Sequence, residues 1–195
     1  MAGTLLTFCV CSVWVKSGGA DAFDLAVNGF VQSFERPPLT VAMIIVSNLA
    51  AWYVLIPAAL LFLAFPKTRR PLGIPAGVVL VLSGALNYLL KLSFAVTRPE
   101  IHRLVTVADY SYSFPSGHTM TSAAFVFACA ALSFRFALKP LAKFAIMTGA
   151  ALFVFAVGVS RIYLGVHHAT DVLAGWAAGV FVCAITITVL FRKYT

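Results

Sequence analysis

The residues of this chain best equipped for chemistry lie in SRIYLGVHHATD, positions 160–171, where an arginine, two histidines and an aspartate interrupt two long apolar runs. His167 and Asp171 are spaced i to i+4, which on a helix places both on one face. A carboxylate one turn away can hold the imidazole in a single tautomer and stabilise its cation. His168 projects about 100° off that face and lacks such a partner. The reactive imidazole is therefore expected at His167, with an interfacial, non-catalytic role for His168.

Two other clusters carry charge or anion-binding geometry. Lys91 and Arg98, in KLSFAVTRP, are close to two helical turns apart, so both are expected on one face of a helix that ends at Pro99. In FPSGH, residues 114–118, Ser116 is a favourable N-cap and Gly117 allows close backbone approach. The open first-turn amides and the positive end of the helix dipole would then make an anion site beside His118. Each cluster alone has a bland reading: snorkelling cations for the first, an ordinary helix start for the second. Together with Arg161 they bring three cations, two histidines and a carboxylate to one membrane edge, where ionisable groups are costly and usually functional.

The elements that must position these groups are apolar helices. The chain is 62% hydrophobic and 10% charged, the composition of an integral membrane protein. Five runs, near 39–65, 72–95, 117–136, 140–160 and 169–191, have the roughly 20 apolar residues that a spanning helix needs. Residues 2–15 form a shorter sixth run, about 21 Å long as a helix, and are read as a short first span. The segment DAFDLAVNGFVQSFERPP, residues 21–38, mixes apolar and acidic positions and reads as an interfacial amphipathic helix ended by its proline pair. The expected fold is all-α: a six-helix membrane bundle with that interfacial helix and a site at the outer membrane edge. A single domain covers residues 1–195.

Charge sets the orientation. The net charge of +8 is not a nucleic-acid footprint, because the basic residues fall in short clusters between apolar runs. Lys67, Arg69 and Arg70, then Arg135, Lys139 and Lys143, then Arg192 and Lys193 fall on one side, which the positive-inside rule makes cytoplasmic. The other side takes all six acidic residues with Lys16, Lys91, Arg98, Arg103 and Arg161. Cys9, Cys11, Cys129 and Cys183 sit inside apolar runs and read as small hydrophobes rather than disulfide or metal partners.

Lys91 with Arg98-Pro99, Pro115-Ser116-Gly117-His118, and Ser160-Arg161 with His167 and Asp171 resemble, in order and spacing, the three-part signature of the type 2 phosphatidic acid phosphatase superfamily. The resemblance spans residues 91–171, and the six-span layout is similar to the small bacterial lipid phosphatases of that family. It implies a metal-independent phosphatase working through a phosphohistidine, with His167 as nucleophile, Asp171 as its orienting group and His118 as acid and then base. Lys91, Arg98, Arg161, Ser116 and Gly117 would bind the phosphoryl oxygens. No acidic or cysteine cluster is available for a catalytic metal, and no cofactor is expected. The implied partners are a lipid phosphate and the bilayer, with neither nucleic acid nor an obligate protein, at a bacterial inner membrane with the site facing outwards. Undecaprenyl diphosphate is the favoured substrate; phosphatidylglycerol phosphate, phosphatidic acid and lipid A phosphate are the alternatives. A lipid transporter or flippase would also bury charges along a path, but needs no nucleophile, orienting carboxylate and separate acid. The related vanadium-dependent haloperoxidases share the anion site but are soluble.

Overall fold

The computed structural model of the chain describes residues 1–99, 102–106, 112–136 and 138–191. Glu100, Asp109, Arg192 and Lys193, used above to orient the chain, lie outside the described residues. Within them the regular elements are helices: α1 Ala2–Lys16, α2 Asp21–Gln32, α3 Pro37–Leu49, α4 Trp52–Ala64, the single turn α5 Pro66–Thr68, α6 Ile74–Phe94, α7 Gly117–Ser133, α8 Pro140–Tyr163 and α9 Ala169–Leu190. A π-helical turn, Arg69–Gly73, joins α5 to α6. Among the described residues, three segments are long and apolar enough to cross a membrane: Pro66–Phe94, Pro140–Tyr163 and Ala169–Leu190. α1 and α7 are apolar but shorter, at 15 and 17 residues.

Three expectations about helix boundaries need correction. The apolar run 39–65 is not one straight span; α3 and α4 pass as a span only together, with a 45° bend between them. At the break Ala51 is extended (φ −76°, ψ 154°), and the amides of Ala50 and Ala51 turn back on the carbonyls of Ser47 and Asn48 at 3.1 and 3.0 Å. Both alanines are buried, as irregular backbone at membrane depth must be. The proline pair does not end α2. That helix stops at Gln32, and Pro37 and Pro38 form the first turn of α3, where a missing N–H is harmless. Finally, α6 stops before Pro99, at a left-handed Ala95 (φ 49°) whose N–H returns to the Lys91 carbonyl at 2.9 Å. Arg98 therefore leaves from an irregular segment and not from the helical face that carries Lys91.

α9 is the central element and packs against α1, α2, α6, α7 and α8. At one end of the bundle Arg135 Nη1 donates to the Pro71 carbonyl at 3.2 Å, joining two of the basic connections. At the other end the Ser116 N–H donates to the Asp171 carbonyl at 3.0 Å, fastening the starts of α7 and α9 together. α2 lies at this second end and is inverted relative to a helix of a soluble protein. Asp24 and Asn28 are buried, whereas Leu25 is 72% and Phe30 66% exposed.

The return from α8 to α9 turns on Gly165, which sits at φ +69° with its Cα against the backbone of His102; a Cβ there would lie 2.1 Å from the His102 carbonyl oxygen. Gly165→Ala is expected to lower the unfolding free energy by more than the roughly 1–2 kcal/mol that left-handed φ alone costs an alanine. Gly77→Ala, at a position where a Cβ meets nothing within 4 Å, should leave the melting temperature in detergent unchanged or slightly raised. Thermal unfolding of the two variants side by side checks the comparison.

Candidate active site

The second end of the bundle gathers the residues that the sequence singled out. Asp171 is the N3 residue of α9 and fully buried. Its Oδ2 accepts from the His168 N–H at 2.8 Å, lies 3.1 Å from His167 Nδ1, and also accepts from the Ser113 hydroxyl. A carboxylate only accepts, so the proton between it and the imidazole belongs to Nδ1. His167 Nε2 is then an unprotonated lone pair, and Arg98 Nη1 donates to it at 3.1 Å while also reaching the Val166 carbonyl at 2.8 Å.

His167 precedes α9 rather than lying on it, since His168 is the N-cap. The expected His167–Asp171 pair therefore forms, but through cap geometry and not a shared helical face. The His168 side chain accepts from the Asp171 N–H while the Asp171 carboxylate accepts from the His168 N–H, a reciprocal capping box. Burial first, then Arg98, Arg161, Lys91 and His118, hold the His167 imidazole well below its ordinary pKa. The ring is neutral at pH 7, the state a nitrogen nucleophile needs.

The cations surround this ring from three elements. Lys91, on α6, points its ammonium at the carbonyls of Tyr112 and Ser113, the latter at 3.1 Å. Arg161, near the end of α8, is buried and donates through Nη1 to the Ser47 hydroxyl of α3; among the described residues its Nε has no partner. Ser116 caps α7 by position only: its hydroxyl accepts from Thr119 Oγ1 at 2.9 Å and makes no bond to the first-turn amides. Those amides stay available at the positive end of the helix. At Gly117 an added Cβ would press on Asn87 Oδ1 at 3.0 Å, and Asn87 is held by its own amide nitrogen on the Pro115 carbonyl at 3.1 Å. His118 follows, half-buried, in the first turn. Among the described residues no group of three or more His, Cys, Asp or Glu side chains is placed to hold a metal ion.

Several contributors escaped the sequence reading. Ser113 is fully buried against the His167–Asp171 pair. Asp24 accepts from the Thr170 N–H at 2.8 Å and its hydroxyl at 2.7 Å, Asn28 donates to the His167 carbonyl at 3.3 Å, and Gln32 donates to the carbonyls of His102 and Ile162 at 3.4 Å. The i, i+4, i+8 spacing of those three α2 residues was visible as a polar stripe; for Ser113 and Ser47 no pattern marks the position.

A family model described as the PAP2 superfamily matches residues 72–195. The chain is 28% identical over 192 residues to an undecaprenyl-diphosphatase from Sulfolobus acidocaldarius, covering 95% of this chain and 88% of that one. It is 31% identical over 180 residues to phosphatidylglycerophosphatase B of Bacillus subtilis, covering 89% and 86%. Among solved structures, a transmembrane PAP2-type phosphatidylglycerolphosphate phosphatase from Bacillus subtilis superposes with a TM-score of 0.89 at 26% identity, covering all of this chain and 96% of that one. Aquifex aeolicus LpxE superposes with a TM-score of 0.69 at 25% identity, covering 84% and 94%.

The polar stripe of α2 is tested by contrast with its apolar side. Asp24→Ala strips two acceptors from a buried amide and hydroxyl and is expected to cost about 1–3 kcal/mol of stability per donor left unpaired. Leu25→Ala, next in sequence on the exposed side, should change the melting temperature far less.

Proposed function

The chain belongs to the PAP2 superfamily, and we propose that it hydrolyses a lipid diphosphate, with undecaprenyl diphosphate as the favoured substrate, at the outer face of a bacterial inner membrane. It is an integral membrane lipid phosphatase. The single observation behind the proposed chemistry is the imidazole of His167: neutral, held by Asp171 at Nδ1, with Arg98 Nη1 3.1 Å from Nε2, where a phosphoryl oxygen would bring phosphorus. On substrate binding, Arg98 and Lys91 exchange their present contacts for phosphoryl oxygens, and the free Nε of Arg161 and the first-turn amides of α7 complete the anion cradle.

His167 Nε2 attacks phosphorus in line. The N–P bond forms as the bond to the leaving oxygen breaks, and His118 supplies a proton to that oxygen where the leaving group needs one. The positive charge that appears on the ring is stabilised by Asp171. His118 then takes a proton from the water that attacks the phosphohistidine, which releases inorganic phosphate and restores the imidazole. Three cations supply the charge neutralisation that a divalent metal provides in other phosphoryl transfers.

The outward orientation rests on the basic residues at the opposite end of the bundle, where Arg135 meets the connection carrying Lys67, Arg69 and Arg70. Likeness over nearly the whole chain to the Sulfolobus undecaprenyl-diphosphatase supports the diphosphate reading. The superposition on the Bacillus phosphatidylglycerolphosphate phosphatase supports a second reading, phosphatidylglycerol phosphate.

Phosphate release from purified enzyme across undecaprenyl diphosphate, phosphatidylglycerol phosphate, phosphatidic acid and lipid A phosphate decides between them. Highest kcat/KM on the isoprenoid diphosphate is expected, and release from none of the four refutes the lipid phosphatase reading of this site. Activity should survive EDTA and fall with vanadate, which adopts the five-coordinate geometry of phosphoryl transfer. His167→Ala should abolish release and Asp171→Asn reduce it on the order of 10²- to 10⁴-fold. His168→Ala should retain most of the rate while losing about 1 kcal/mol of stability with its cap.

A further inference from the structure

We propose that Ser113 is a positioning residue of the phosphoryl transfer: its hydroxyl fixes the tautomer of His167 and shares the charge that the ring acquires when phosphorylated. The inference rests on His167 being the nucleophile, and it concerns a residue outside the three motifs. Three groups of Ser113 do three different things. Its N–H donates to the Val96 carbonyl at 2.8 Å, its carbonyl accepts from Lys91 Nζ at 3.1 Å, and its hydroxyl donates to Asp171 Oδ2 while lying 3.2 Å from His167 Nδ1. The next residue, Phe114, is fully buried with its ring 4.8 Å from that of Phe94, which leaves the serine little freedom to turn away.

Proton counting gives the hydroxyl its role. A serine has one proton to donate, and the carboxylate can only accept. With that proton committed to Asp171, the oxygen facing Nδ1 presents a lone pair, so the ring nitrogen must carry the hydrogen. Nδ1–H is then shared between Asp171 Oδ2 at 3.1 Å and Ser113 Oγ at 3.2 Å, and the alternative tautomer, with its proton on the attacking nitrogen, would set two lone pairs against each other at Oγ. When Nε2 bonds to phosphorus the ring becomes cationic. Both acceptors then strengthen, so the stabilisation is greater in the transition state than in the resting enzyme.

Ser113→Ala isolates this role, because alanine keeps the N–H and C=O that hold Val96 and Lys91. The expected result is a kcat lower by roughly 10- to 100-fold, the worth of one charge-assisted hydrogen bond, with KM and the melting temperature nearly unchanged. Vanadate inhibition should weaken with kcat, while inhibition by inorganic phosphate should not. In an Asp171→Asn background the same substitution should cost only a few-fold more, because it is the carboxylate, as acceptor of the hydroxyl proton, that turns the Oγ lone pair towards Nδ1. Should the alanine variant fail to fold, Ser113→Cys, near in size and a weak donor, is expected to give an intermediate kcat at wild-type KM. A rise in KM parallel to the fall in kcat, full multiplication of the two losses in the double variant, or wild-type kcat in both Ser113 variants overturns the proposal. Phosphate release by the unmodified enzyme, and its loss in His167→Ala, report separately on the nucleophile.

Discussion

A single buried carboxylate oxygen organises the polar end of this molecule. Asp171 Oδ2 takes donors from His168, His167 and Ser113, which belong to the start of α9, the turn before it and the strap leading to α7. Taking a carboxylate out of water is expensive unless its lone pairs are satisfied, and here one oxygen is saturated while the other, Oδ1, has no partner among the described residues. That imbalance fits a group whose attraction grows when the neighbouring ring turns positive. The remaining geometry follows from it. His168 must cap α9 for the carboxylate to face back, and the carbonyl of Asp171 must hold Ser116 for α7 to begin where it does.

Around that centre the protein uses backbone carbonyls to park its cations. Among the described contacts, Lys91 meets two of them, Arg98 one together with the ring of His167, and Arg161 a serine hydroxyl of the broken α3–α4 span. A neutral acceptor, such as the carbonyls under Lys91 or the Ser47 hydroxyl under Arg161, holds a cation in place without cancelling its charge.

What the sequence made legible was chemistry at fixed spacing. The meeting of His167 with Asp171 and the helix start at Ser116 could be read because each depends on residues a turn apart, whereas His168, read as lacking a partner, is tied to Asp171 by the α9 capping box. The pairing of Lys91 with Arg98 was misread as a helical face because nothing in FAVTRP announces that an alanine, Ala95, adopts the left-handed conformation. The break at Ala50 and Ala51 was invisible for a related reason: alanine is an ordinary helix former, and nothing local in the sequence marks an interruption there. Ser113 could not have been found at all by pattern, since its importance comes from contacts 54 and 58 positions away in the chain. The prolines at 37 and 38 show that one residue type can end or begin a helix, and the sequence was read in the wrong direction.

The inverted face of α2 has a practical consequence for handling the protein. Its inward stripe of Asp24, Asn28 and Gln32 fastens the turns that carry His167 and His102, whereas its outward residues Leu25 and Phe30 are mostly exposed, Phe30 touching the ring of Phe34 at 5.2 Å, and face the bilayer side. Lipid is in effect the outer wall of this end of the bundle. A harsh, short-chain detergent that competes poorly for those side chains is expected to loosen this wall before it reaches the interface of α7 and α9, so that the solubilised enzyme loses its reaction while its helical bundle stays folded. For this molecule circular dichroism is a poor witness of competence, and the choice of amphiphile belongs among the variables of any kinetic experiment.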